Sequence, residues 1–210
     1  MKDKPRGEGG VTAIRYDFSN NRNMCAVSCG QILLDPMVAA QVTSTYVDWL
    51  NDTEVNAYLE VRHHRQTIDG AMAYVAAKIA EPHTCLFAAY ENGRFIGTAK
   101  LDSFRPYHGT AMVAFMFGEK SVWGRGLGSQ MVMAACHFGF QRIGLRKINA
   151  GCYGRNIASH KLLEKCGFSL EGCQTDQVMT KDGPDDVLIF GLLASAYPHA
   201  SFPAAFADAN

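Results

Sequence analysis

The stretch between residues 110 and 153 narrows the fold more than any other. An apolar run, TAMVAFMF (110–117), leads through the glycine-rich SVWGRGLGSQ (121–130) into SQMVMAACHFGFQRIG (129–144), which has the length and apolar face of a helix. A short β-like run, RKINAGCY (146–153), follows. Two strands joined through a helix of a dozen or more residues belong side by side and parallel, because a right-handed crossover returns the chain in its original direction. An all-helical fold, or one built only of hairpins, is thereby excluded. The first of the two strands is apolar enough to be buried on both faces.

The flanking elements are of other kinds. Apolar residues recur at helical spacing over 42–50 and 66–80, the second segment with Thr67 as N-cap and Pro82 as a stop. TCLFAAY (84–90) and RFIGTAKL (94–101) form a hairpin about Glu91-Asn92-Gly93. IASHKLLEKCG (157–167) is an amphipathic helix with Asn156 at its N-cap and Gly167 at its C-cap. A second hairpin, LEGCQTDQVMT and DVLIFGLLA about Lys181-Asp182-Gly183-Pro184, closes the domain. The expectation is a mixed α/β domain over residues 31–196, with an irregular N-terminal extension (1–30) and a flexible C-terminal tail (197–210).

Composition limits the partners. Lys plus Arg and Asp plus Glu each number 20, so no net field draws the chain to nucleic acid or an acidic membrane. The seven cysteines (25, 29, 85, 136, 152, 166, 173) are odd in number, scattered and without CxxC or zinc spacing, and read as reduced thiols with no metal. With no apolar targeting segment after MKDKPRGEGG and no membrane-length apolar run, the expected location is the cytoplasm.

The glycines at 124, 126 and 128 ask for a reason. Backbone without Cβ atoms approaches a ligand closely, and the free N–H groups of a helix's first turn favour phosphate. A plain strand-to-helix turn needs one or two glycines, not three with an arginine, so anion binding is the stronger of two open readings. GRGLGS lacks the last glycine of a dinucleotide fingerprint, and no Gly-Lys-Ser/Thr follows as in nucleoside-triphosphate loops.

NIASHKLLEKCGFSLEG (156–172), taken with WGRGLG (123–128), resembles the GNAT superfamily of acetyl-CoA-dependent N-acetyltransferases, in particular its ribosomal-protein-alanine and polyamine branch. The resemblance spans about residues 31 to 194. It implies a mostly antiparallel central sheet with one parallel central strand pair, flanked by helices, acetyl-CoA as co-substrate, and pairing into a homodimer. It also implies that the backbone of Met116, Phe117 and Gly118 pairs with the pantetheine arm, and that Gly124, Arg125, Gly126, Leu127, Gly128 and Ser129 wrap the pyrophosphate. Asn156 would hold the arm from the other side, Ser159 would protonate the departing thiolate, and the Phe117 N–H would face the oxyanion.

Two positions depart from the family pattern. Leu163 stands where many relatives carry a general-acid tyrosine, and Met112-Val113-Ala114 where they often carry a basic glutamate. Candidate replacements lie in YLEVRHH (58–64), where Glu60 or His63 could accept the proton, Glu60 being the proposed base, and Glu60, Arg62 and His63 are the acceptor-binding residues; Asp102 and Asp176 are further candidates for the base. Three functions compete: acetyl transfer to a small primary amine such as an amino sugar or polyamine, by direct attack in a ternary complex; acetylation of protein N-termini; and a non-catalytic acyl-CoA-binding module.

Overall fold

A computed structural model describes residues 24–206. Nine strands form one sheet in the order β7-β8-β6-β5-β4-β3-β2-β1-β9. They are β1 (Val27–Cys29), β2 (Ile32–Pro36), β3 (Cys85–Glu91), β4 (Arg94–Arg105), β5 (Thr110–Phe117), β6 (Lys147–Tyr153), β7 (Ser169–Thr180), β8 (Gly183–Leu193) and β9 (Ala204–Phe206). Every neighbouring pair is antiparallel except β5 and β6, which the helical crossover makes parallel. The expected mixed sheet with a parallel central pair is the one observed.

Helices α1 (Ser44–Asn51) and α2 (Ile68–Ala80) cover one face; α3 (Leu127–His137) and α4 (Ile157–Lys165) serve the other. Alternation along a strand sorts side chains between the two layers. In β3, Cys85, Phe87 and Ala89 enter the core under α3, while Leu86 and Ala88 meet Tyr46, Trp49 and Val75 of the opposite layer. Local caps account for the helix starts: the Thr67 hydroxyl accepts from Gly70 N at 3.1 Å, and Asn156 Oδ1 from Ser159 N at 3.1 Å.

Several expectations need correcting. Strand β5 is not buried on both faces: Val113 is inside but Ala114 is exposed, on a part of the sheet that the α1–α2 layer leaves open. The long helix widens into a π-helix over Phe138–Ile143. The domain limits at 31 and 196 do not coincide with the ends of the sheet. Val27, Cys29, Ile32 and Leu34 alternate into the core, β1 pairs with β9, and Tyr197 and Phe202 are buried under the α3 face. Burial of these apolar side chains joins residues 27–30 and 197–206 to the domain. The rest of the expected extension (1–23) and tail (207–210) lies outside the described residues. Among the described residues no helix is long and apolar enough to cross a membrane.

Candidate active site

The parallel pair holds only at Thr110–Met112 against Lys147–Asn149, after which β5 and β6 diverge. From Val113 to Phe117 on one strand, and from Ala150 to Tyr153 on the other, the facing backbone edges have no strand partner among the described residues. The amide of Gly118 donates to Ile96 O at 3.0 Å, while Gly97 stands opposite Phe117. In an antiparallel ladder that bond marks Gly97 and Phe117 as a non-hydrogen-bonded pair. The polar backbone of Phe117, and by alternation that of Phe115, therefore points away from β4 into the open cleft. Consistent with this, Phe117 O accepts from Trp123 Nε1 at 3.2 Å.

The same phase corrects two expectations. The N–H groups of Met116 and Gly118 face β4 and are taken up by its ladder, so of the three expected residues only Phe117 offers its amide to the cleft. Phe115 was missed because period two shows that faces alternate, not which parity faces the gap.

Helix α3 starts at the mouth of this cleft. Gly126, its N-cap, has φ +79°, and no side chain caps the first turn, so the N–H groups of Leu127, Gly128 and Ser129 point outward unclaimed by a cap. Gly128 has a different reason: a Cβ there would stand 2.5 Å from Leu162 Cδ1, where α3 and α4 cross. Arg125 does not extend over the loop as a free cation. Its guanidinium is held by buried Glu91, with contacts of 3.1 and 2.5 Å, because a carboxylate at the end of β3 needs a charged partner. The cation beside Gly126 is Lys165 of α4, whose Nζ lies 3.6 Å from where a Gly126 Cβ would be. Sequence gave no signal for it, since α3 and α4 meet only through tertiary packing.

Asn156 and Ser159 lie at the start of α4, directly beyond β6. Ser159 is half-buried, and its hydroxyl has no hydrogen bond among the described residues. Leu163 is fully buried in the core, so the position of the family tyrosine is an aliphatic packing site here. Burial pushes the Cys29 and Cys152 thiols up to about 11, which keeps both protonated at neutral pH.

A 3₁₀ turn over Glu60–His63 closes against the end of β6. Tyr153, which the sequence reading did not single out, donates its phenol hydrogen to Glu60 Oε1 and accepts from Arg62 Nη1 at 3.0 Å. Arg62 also donates to Leu59 O and Met179 O, each at 2.9 Å, and its head lies 5.1 Å from the centre of the Tyr153 ring. Arg62 thus ties three elements together as a brace, while it also lines the neighbouring cleft. His63 Nε2 stands 3.7 Å from Glu60 Oε2. Burial, and then the bond to Glu60, raises the phenol above its ordinary value, so Tyr153 stays the donor at neutral pH.

Beside this turn is a cleft of about 1010 Å³, lined by Tyr58, Arg62, His63 and Arg155 together with the tip of the β7–β8 hairpin. The other candidate bases lie elsewhere. Asp102 is paired with Lys100 at 2.6 Å on β4, and exposed Asp176 sits in a bulge of β7 with its amide on Asp186. Among the described residues no group of three or more His, Cys, Asp or Glu side chains could hold a metal.

The acetyltransferase (GNAT) domain family matches residues 31–169. The chain is similar to an uncharacterized N-acetyltransferase of Bacillus licheniformis, p20, at 31% identity over 107 residues, which is 51% of this chain and 60% of that relative's length. A spermidine N-acetyltransferase of Vibrio cholerae, solved with CoA and spermine, superposes with a TM-score of 0.73 at 19% identity, over 80% of this chain and 98% of the other. RimL, a ribosomal alpha-N-protein acetyltransferase solved with coenzyme A, gives 0.71 at 16% identity, over 79% of this chain and 96% of its own. At those identities the two structures speak for the shared fold.

Proposed function

Because the chain belongs to the GNAT acetyltransferase family, we propose that it moves the acetyl group of acetyl-CoA to a primary amine of a small molecule, by direct attack in a ternary complex. The observation that carries this reading is the divergence of β5 from β6 next to the uncapped start of α3. The residues present fit the co-substrate. Edge groups of Phe115, which face the cleft, suit an extended amide-bearing arm, and the first-turn amides of α3 beside Lys165 suit a pyrophosphate. Acetyl-CoA supplies a thioester carbonyl open to attack by a neutral amine.

Each residue then has a distinct task. Phe117 N–H points to where negative charge develops on the carbonyl oxygen; one such donor is worth about 10²–10³ in rate. Glu60 takes the proton that the acceptor ammonium must lose, and Ser159 donates to the departing thiolate, directly or through a water. Holding both substrates side by side supplies much of the remaining acceleration.

The test is release of free CoA from acetyl-CoA with a panel of amino sugars, polyamines and peptides. Turnover of small amines, reduced in Ser159→Ala with CoA affinity kept, is expected. The open 1010 Å³ cleft favours a second reading, since it has room for a peptide. Turnover of peptides alone would make the acceptor a protein N-terminus. No turnover with any amine, while calorimetry shows CoA binding, would leave only a binding module.

A further inference from the structure

We propose that Tyr153 is a positioning residue for the transfer reaction: its phenol holds the Glu60 carboxylate in place and, with Arg62, pins the 58–63 turn at the open end of the β5–β6 cleft. The inference rests on Glu60 being the proton acceptor. Glu60 alone is poorly placed for that task. Its side chain is 75% exposed, in a short turn with no side-chain cap, and a long exposed side chain samples several rotamers.

Tyr153, by contrast, is 7% exposed and sits on β6, a strand paired with β8 along its whole length. Its ring is fixed from two sides. Tyr58 packs edge-on at a centroid distance of 5.9 Å and anchors through its own hydroxyl to Arg155 O at 3.3 Å, while the Arg62 guanidinium covers the ring. The phenol has one hydrogen and gives it to Glu60; its lone pairs accept from Arg62. The carboxylate thus has one oxygen anchored to a rigid strand; the other, which stands 3.7 Å from His63 Nε2, is the one that takes the substrate proton. Met179 O, at the far end of the Arg62 brace, links the same assembly to the β7–β8 hairpin that lines the neighbouring cleft.

Tyr153→Phe isolates the claim, because it keeps the ring and its stacking and removes only the hydroxyl. A hydrogen bond to a charged group contributes enough that its loss should lower kcat for the acceptor about tenfold, with CoA affinity within about twofold of wild type. The retained affinity also reports that the variant is folded. The decisive measurement is the double-mutant cycle with Glu60→Gln. If Tyr153 acts through Glu60, adding Tyr153→Phe to Glu60→Gln lowers kcat by less than about twofold. An equal loss in both backgrounds, or a wild-type kcat in Tyr153→Phe, would overturn the proposal while leaving the acetyltransferase reading intact. Failure of the wild-type protein to acetylate any amine would instead overturn that reading, and this inference with it.

Discussion

Arg125 illustrates how a motif residue acquires its role from a partner far along the chain. Local sequence places a cation in a glycine-rich loop, and the simplest reading gives it to a phosphate. Glu91, 7% exposed at the end of β3, claims it instead. Removing the guanidinium leaves a buried carboxylate without its countercharge, which costs about 1–3 kcal/mol when the lost partner is itself half-exposed. Arg125→Ala should therefore lower thermal stability, and Glu91→Gln in the same chain should restore part of it. A stability unchanged by Arg125→Ala, measured by urea or thermal unfolding, would show the pair to be dispensable. Asn156 was legible beforehand because a cap acts over three residues. Tyr153 and Lys165 were not, because their contacts are with residues 93 positions away and with another helix.

At the scale of the element, α3 carries most of what the glycine stretch implied, for mixed reasons. Gly126 provides the left-handed N-cap and leaves the first-turn amides clear, whereas Gly128 admits Leu162 of α4. Gly126→Glu should abolish CoA binding, since it adds left-handed strain of about 1–2 kcal/mol and sets a carboxylate before amides suited to a phosphate. Calorimetric titration with CoA checks this, and wild-type affinity would mean that the pyrophosphate lies elsewhere. The strands were legible as alternating apolar runs bounded by turns. Their cleft-facing parity was not, because it depends on the hydrogen-bond phase that Ile96 and Gly118 impose on β5.

Across the whole molecule, the C-terminal segment is the least foreseen feature. Alanines and prolines after residue 196 read as a tail, yet Tyr197, His199 and Phe206 gather around His137 of α3, with the Tyr197 hydroxyl 3.4 Å from His137 Nδ1. Burial, and then the neighbouring His199, lowers the His137 pKa below 6.5. The proton therefore binds the unfolded chain more readily than the folded one. The contribution of His137 to stability is present above 6.5 and is lost as pH falls through the lowered folded value. Melting temperature should accordingly drop more between about pH 7 and about pH 5.5 in the wild type than in His137→Phe, which keeps an aromatic ring without a titrating group. Parallel pH dependence of the two would remove His137 as the cause.

The sequence by itself determined the helical crossover, the parallel pair it forces, the capped helices and the glycine-rich start of α3. Each of these is written in residues close together along the chain, where spacing and backbone preference act directly. Tertiary structure alone decided which backbone groups of β5 face the cleft, that Arg125 serves Glu91, that Tyr153 meets Glu60, and that Ala204–Phe206 complete the sheet. Those outcomes depend on burial and pairing between distant segments, and the free energy of a contact between them is set by the packed fold rather than by either segment alone.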